Sequence, residues 1–218
     1  MNDQSLKEGL KITKSRLRLL SEIIFLLIFS FMFWQGNIQA WALFWVVGIA
    51  VSLVFSRLYC GWVCPIGTFM RLQSWIYDKL NLRRYSVSSS AFITVLRLLF
   101  VAAFFAGMYA VRGLGWQLNI IMILVGAGLI SSFFLSEDFW HRVCPHGTVL
   151  YVSTSPSKFS MNLDEDICTG CGLCEKTCPS GAITSREDSE IRKINNNECL
   201  TCHDCEKVCP VDAISYSS

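Results

Sequence analysis

Four long apolar runs dominate the first two-thirds of the chain, at about 19–34, 40–56, 91–111 and 114–135. Lipid offers no partner to an open backbone, so a crossing segment must be a helix or part of a closed barrel, and a helix needs about 20 apolar residues. The last two runs reach that length. The first two are shorter, but Trp34, Trp41 and Trp45 near their junction suit an interface, and Gln35-Gly36-Asn37 is a tight polar turn. The pattern predicts a membrane all-α domain over 19–158, four transmembrane helices arranged as two hairpins. A polar arm, 1–18, precedes it and a polar tail, 159–218, follows.

Between the hairpins, Ile66, Phe69, Met70, Gln73, Ile76, Tyr77 and Leu80 recur at helical spacing, with Arg71, Asp78 and Lys79 elsewhere on the wheel. That spacing predicts an amphipathic helix, lying either in the membrane surface or on the protein's own loops. Within the spans the conspicuous charges are Glu22 and Arg97, each about one and a half turns from the same end of its helix. Equal depth allows them to pair; the alternative is that each snorkels to the headgroups.

Composition agrees that part of the chain sits in lipid. Of 218 residues 52% are hydrophobic and 17% charged, with a mean hydropathy of +0.42, unlike a soluble globule. The net charge of +2 is informative only when divided: the chain up to Lys158 is +8 and the remainder −6. Basic residues gather in the arm (Lys7, Lys11, Lys14, Arg16, Arg18) and the middle loop (Arg57, Arg71, Lys79, Arg83, Arg84), whereas the opposite loops hold only Arg112. The positive-inside rule puts both termini, the middle loop and the tail on the cytoplasmic side of an inner membrane. With no small-residue cleavage site or twin-arginine signal, no cleavable leader is expected. An acidic tail suits a redox module meeting a basic partner surface, or solubility alone.

Eight of the eleven cysteines fall in that tail. Cys168-Thr-Gly-Cys171-Gly-Leu-Cys174-Glu-Lys-Thr-Cys178-Pro179 is repeated as Cys199-Leu-Thr-Cys202-His-Asp-Cys205-Glu-Lys-Val-Cys209-Pro210, and Ala182-Ile183 is repeated as Ala213-Ile214. In such C-x2-C-x2-C-x3-C-P runs the first three thiolates hold one 4Fe-4S cluster while the fourth crosses to the other. The ligand sets are then Cys168, Cys171, Cys174 and Cys209 for one cluster, and Cys199, Cys202, Cys205 and Cys178 for the second. Zinc sites have no reason for the crossing pattern, and a reducing compartment disfavours disulfides. His203, beside a ligand, is expected to face solvent. The tail resembles two-cluster bacterial ferredoxins over about 50 residues, which implies a small α+β fold.

The other three cysteines lie at the membrane boundary. Cys60-Gly-Trp-Val-Cys64-Pro65-Ile-Gly67-Thr68 follows the second run, and Trp140-His-Arg-Val-Cys144-Pro145-His-Gly147-Thr148 follows the fourth, at an offset of 80 residues. A repeated boundary motif, four spans and a ferredoxin tail resemble the polyferredoxin-like membrane subunits of the quinol dehydrogenase type known from periplasmic nitrate reductase systems, the NapH family. That family has relatives in methylamine utilisation, nitrous oxide reductase maturation and oxidase-assembly copper reduction. The resemblance covers nearly the whole chain and departs at Trp140, which stands where the counterpart of Cys60 would be. Cys60, Cys64 and Cys144 then form a third iron–sulfur centre completed by His141, His146 or Asp138, a metal site of another kind, or thiols beside a quinone pocket. Alternatively, each Cys-Pro pair only shapes a helix exit.

Absences narrow the function. His141, His146 and His203 all lie outside the spans, so no haem is expected, and there is no haem-attachment motif, dinucleotide fingerprint or phosphate loop. The leading expectation is an electron-transfer subunit relaying electrons between quinol or quinone and a protein redox partner, with lipid around it and no nucleic acid. The alternatives are a membrane metal-ion or disulfide reductase and a non-catalytic anchor wiring a catalytic subunit. Trp62, His141 and His146 sit at a depth suited to quinone contact. Iron analysis of the purified chain checks the cluster count. Two clusters give about eight irons per chain, and a third held by the boundary cysteines gives about eleven to twelve.

Overall fold

The computed structural model describes residues 3–87, 90–115, 119–186 and 189–217. A continuous helix α1 (Asp3–Trp34) leads through a short 3-10 turn to α2 (Trp41–Phe55), and α3 (Leu58–Trp62), α4 (Pro65–Lys79) and α5 (Ser90–Gly113) follow. Then come α6 (Ile120–Phe134), α7 (Glu137–Val143) and α8 (Pro145–Ser153). Three helical stretches, Gly9–Trp34, Ile38–Phe55 and Ala91–Gly113, are long and apolar enough to cross a membrane. The apolar α6 has 15 residues, a length of about 22 Å. Residues 116–118 of the run expected at 114–135 lie outside the described residues.

The helical part is built from two copies of one unit, and the 80-residue offset seen around the cysteines extends through the packing. Gly48 of α2 lets the Tyr59 ring of α3 approach so closely that a Cβ would lie 2.8 Å from it. Gly128 of α6, 80 residues on, gives the same room to the Trp140 ring of α7, at 2.9 Å, one position beyond the counterpart of Tyr59. Ser52 and Ser132, both buried, occupy matching positions four residues later and reach across the unit boundary. Ser52 Oγ bonds Ser153 Oγ of α8 at 3.0 Å, and Ser132 Oγ donates to Gln73 Oε1 of α4. Each copy's long helix is therefore tied to the short final helix of the other copy.

The amphipathic spacing around 66–80 forms α4, with Ile66, Met70, Gln73 and Ser74 buried. Its other side still carries exposed Phe69, Leu72, Trp75 and Ile76. The helix thus packs on α1 and α6, as the second alternative expects, and also presents apolar surface outward.

The tail folds as a small α+β unit. Strand β1 (Ser160–Leu163) pairs antiparallel with β4 (Ile214–Ser217), and β2 (Ile183–Arg186) with β3 (Ser189–Ile194). The short helices α9 (Leu173–Thr177) and α10 (Asp204–Val208) complete it. The helical and cysteine-rich parts dock through opposite charge. Lys11 pairs with Asp212, Lys14 with Glu206 at 2.8 Å and Arg18 with Asp204 at 2.8 Å. The basic arm is thus no separate segment but the first turns of α1, and the acidic tail meets its own chain. At the end of α2, Ser56 has φ 65 and ψ −162, a backbone region costing about 1–3 kcal/mol. Its hydroxyl donates to the Asn196 carbonyl of the tail at 3.2 Å.

Glu22 and Arg97 do not pair. Glu22 is buried against Arg71 and Arg18, because α4 folds back over α1. Arg97 donates to Glu198 of the tail and to the Arg142 carbonyl, and lies over the Tyr151 ring. Glu198 also takes Arg57 at 3.0 Å, and the Arg57 side chain is 1% exposed. Removing one partner of a buried pair leaves an uncompensated charge, at a cost of about 3 kcal/mol or more. Glu198→Ala is therefore expected to lower the stability of the docked protein by about that amount, measured by denaturant titration in detergent, whereas Glu165→Ala, at an exposed pair with Arg186, changes it by less than about 1 kcal/mol.

Candidate metal centres

Each repeat in the tail turns sharply between its cysteines. In the first, Gly170 and Gly172 take φ of 70 and 73; in the second, Thr201 and His203 take φ of 49 and 63. The left-handed backbone is costly for a β-branched residue, yet the second repeat forgoes glycine at both positions. Both positions lie where the tail meets Trp62 of the helical part. The Thr201 carbonyl accepts from the Trp62 indole at 3.0 Å. His203 is not solvent-facing: Nδ1 lies 2.6 Å from Glu206 Oε2, and the ring packs edge-on to Trp62 and Tyr216.

The turns leave two small, largely apolar voids. Cys168, Cys171, Cys174 and Cys209 line the first with Leu163, Leu173 and Val211. Cys178, Cys199, Cys202 and Cys205 line the second with Met161, Ile183 and Leu200. The fourth cysteine of each run thus stands in the other run's void. The crossed pair is set alike: Ala182 N–H donates to Cys178 Sγ and Ala213 N–H to Cys209 Sγ, both at 3.3 Å. Among the described residues no three His, Cys, Asp or Glu side chains converge closely enough for a single ion. Thiolates on the outer corners of a cubane have no such need, so these donor sets fit 4Fe-4S clusters. Burial pushes the Cys199 thiol up to about 12 and raises Cys202 and Cys205 as well. Thiolates there require a positive partner such as iron.

The two voids differ in surroundings. Around the first, Cys171, Ile167 and Leu173 are exposed. The second is covered by the helical part: a Cβ on Gly61 would lie 2.2 Å from the Leu200 carbonyl oxygen. Tyr59, Cys60, Leu150, Leu200 and Cys202 share one buried apolar cluster.

The boundary cysteines gather at that cluster, Cys60 within it and Cys64 packed against it. Cys64 and Cys144 each cap a helix, α4 and α8, with proline at the first helical position, where proline costs no hydrogen bond. Backbone N–H groups of Ile66 and Gly67 face the Cys64 sulfur, and those of His146 and Gly147 face Cys144. Burial outweighs them, raising the thiols to about 12 and about 11 respectively. Cys64 packs against the clusters of both Cys60 and Cys144, and Arg57 Nη2 lies 3.9 Å from Cys60 Sγ. Trp140, 3% exposed, occupies the fourth corner, edge-on to Phe100.

Of the remaining candidates, His141 stays beside the boundary cysteines, since a Cβ on Gly67 would meet both its Cε1, at 3.6 Å, and Cys64 Cβ, at 3.8 Å. His141 is buried near Gly67, and burial with Arg57 and Arg71 nearby depresses its pKa to about 3. His146 lies against the Trp45 and Phe104 rings, its pKa lowered by burial to about 4. Trp62 is engaged with the tail, and Asp138 accepts from Ser136.

Sequence reasoning passed over one feature, a cavity of about 770 Å³ between the tail and the ends of α4, α5 and α7. Cys178, Arg97, Val87, Ile93, Glu137 and Asp138 are on its wall; Trp62, His141 and His146 are not. Burial raises the Glu137 carboxyl to about 7, against the opposing pull of Arg71, Ser74 and Arg84.

Comparison with known proteins fits these donor sets. Residues 37–83 match a family described as a 4Fe-4S binding domain, and residues 141–182 and 167–213 match one described as a 4Fe-4S dicluster domain. The putative electron transport protein YccM of Escherichia coli is 27% identical over 62% of this chain and 44% of its own length. The methylamine utilization ferredoxin-type protein MauN of Methylobacillus flagellatus is 26% identical over 57% and 48%. The ferredoxin-type protein NapH of Haemophilus influenzae is 22% identical over 63% and 54%. The chain is thus similar to ferredoxin-type electron-transport proteins, NapH, MauN and YccM among them. It spans about half the length of the curated relatives it matches. No solved structure matches it.

The tight contact at Gly61 has a measurable consequence. Gly61→Val is expected to displace the tail, so that limited proteolysis in the connection at 154–159 speeds up severalfold while iron content per chain stays unchanged.

Proposed function

We propose that this protein is a membrane-bound electron-transfer subunit linking the quinol pool to a protein redox partner. One observation carries the reading. The second cysteine void abuts the helical part through Leu200, Thr201 and Trp62, whereas the first opens outward at Cys171. In this reading Cys178, Cys199, Cys202 and Cys205 hold a proximal 4Fe-4S cluster, and Cys168, Cys171, Cys174 and Cys209 hold a distal one facing the partner. When bound, the two clusters supply one-electron carriers, a pair matching the two electrons of quinol. Leu200 and Tyr59 exclude water from the contact, and the Trp62 indole fixes the Thr201 turn beside Cys202.

The same reading takes α6, with the residues before it, as a fourth span of a helical domain over 19–158 built from two hairpins, followed by the ferredoxin domain at 159–218. The loops richest in Lys and Arg lie on the ferredoxin side, which supports placing that side and both termini in the cytoplasm of an inner-membrane protein.

The packing of Cys60, Cys64 and Cys144 beside Arg57 favours a second reading, in which these thiols deliver electrons to a metal ion or disulfide. The two are separated by anaerobic addition of a quinol to the purified full-length protein, followed by EPR. Quinol linkage predicts signals of reduced clusters that persist in Cys64→Ser. Absence of any cluster signal with quinol overturns it, and a signal lost in Cys64→Ser transfers the role to the boundary thiols.

A further inference from the structure

The cavity between the two parts is built like a ligand site. Its volume of about 770 Å³ falls within the range of small-molecule pockets, roughly 300–1,000 Å³. Its lining changes character from side to side. Val87 and Ile93 form an apolar wall where α4 leads into α5, Cys178 reaches it from the proximal cluster site, and Lys176 and Arg84 add donors.

Glu137 gives the most specific indication of an occupant. Its Oε2 is buried, yet it has no hydrogen-bond partner among the described residues. A buried acceptor left unsatisfied costs about 1–3 kcal/mol, more when charged. Its neighbours do not remove the deficit: Ser74 bonds the same carboxyl group, and Arg71 and Arg84 lie nearby without reaching Oε2. With the carboxyl raised to about 7 it is present as acid and as carboxylate near neutral pH, so the missing partner must be able to accept as well as donate a hydrogen bond. It must also tolerate an apolar wall and fit beside a thiol of a redox centre at the membrane boundary. A flat ring bearing hydroxyl groups meets all of these requirements.

We propose that this cavity binds a hydroquinone headgroup, with one hydroxyl hydrogen-bonded to the Glu137 carboxyl group and the ring lying against Val87 and Ile93. The assignment rests on the quinol reading above and moves the quinol site away from Trp62, His141 and His146. Asp138, beside Glu137 on the cavity wall, faces the same occupant, whereas the pseudo-symmetric counterpart of Glu137 is Arg57, which is committed to Glu198. At this one pair of equivalent positions, the first copy of the repeated unit grips the ferredoxin part and the second faces the ligand.

The test uses the full-length protein in detergent with its clusters in place, titrated calorimetrically and anaerobically with duroquinol and with its dimethyl ether, which keeps the ring but has no hydroxyl to donate. Wild type should bind duroquinol at least about tenfold more tightly than the ether, the ratio expected for a hydrogen bond to a charged acceptor. Glu137→Gln should lose most of that ratio while binding the ether as wild type does. It should also remove the carboxyl band that shifts on duroquinol binding in infrared difference spectra. Val87→Trp, which fills the cavity from its apolar wall, should abolish binding of both compounds, and Glu165→Gln, at an exposed ion pair outside the cavity lining, should change neither. Duroquinol binding unaffected by both Glu137→Gln and Val87→Trp overturns the site and leaves the quinol reading standing. Failure of wild type to bind duroquinol at all overturns both.

Discussion

The Glu198 carboxylate is the contact on which the rest of the molecule depends. It lies one residue before Cys199 and takes two guanidinium groups at once, Arg57 from the loop after α2 and Arg97 from inside α5. Arg57 is almost fully buried, and a buried cation must be paired or the region opens to water. The requirement locks the second cysteine run to the helical part. Cys202, Leu200 and Cys60 consequently share one apolar cluster, and the site against the helical part is distinguished from the outward one. The ion pairs of Lys11, Lys14 and Arg18 with the tail reinforce a position that Glu198 sets.

Duplication supplies the frame around this contact, and divergence gives the frame its function. Gly48 and Gly128, Ser52 and Ser132, and Cys64 and Cys144 hold matching places in the two units, so both fold alike. At other matching positions the chemistry separates. Arg57 faces a carboxylate of the tail, while Glu137 at the equivalent place looks into a cavity; Cys60 is a thiol, while Trp140 is a large apolar plug. Trp140 closes the corner where a symmetric arrangement would place a fourth thiol, and its ring instead fills space between Gly128, Ile66 and Phe100. A symmetric scaffold has thus become a two-sided one.

Legibility followed the range of each interaction. The cysteine runs were readable because cluster ligands recur at fixed short spacing, and the crossed lining of the two voids follows from those runs. The helix at 65–79 was readable from its periodicity. The partners of Glu22 and Arg97 were not, because helix depth says nothing about which loop folds over a helix, and Arg71 and Glu198 reach them from distant segments. His203 was misplaced for a related reason: next to a ligand in a ferredoxin it would face water, but here Trp62 and Tyr216 cover it. The acidic tail suggested an external partner, and much of that charge meets the chain's own basic residues. Glu137 gave no local sign, since an unpartnered buried oxygen exists only once α4, α5, α7 and the tail are assembled.

The sequence by itself determined the classes of chemistry present: apolar helices for lipid, eight thiols spaced for two clusters, and a duplicated boundary motif with one cysteine missing. These are local or periodic properties, written in neighbouring residues and their spacing. Tertiary structure alone decided which cluster site lies against the helical part, which charges neutralise one another and where a ligand-sized cavity is left. Those outcomes depend on pairs far apart in the chain, selected by the cost of burying an unpaired charge, and no short stretch of sequence records which distant partner will meet that cost.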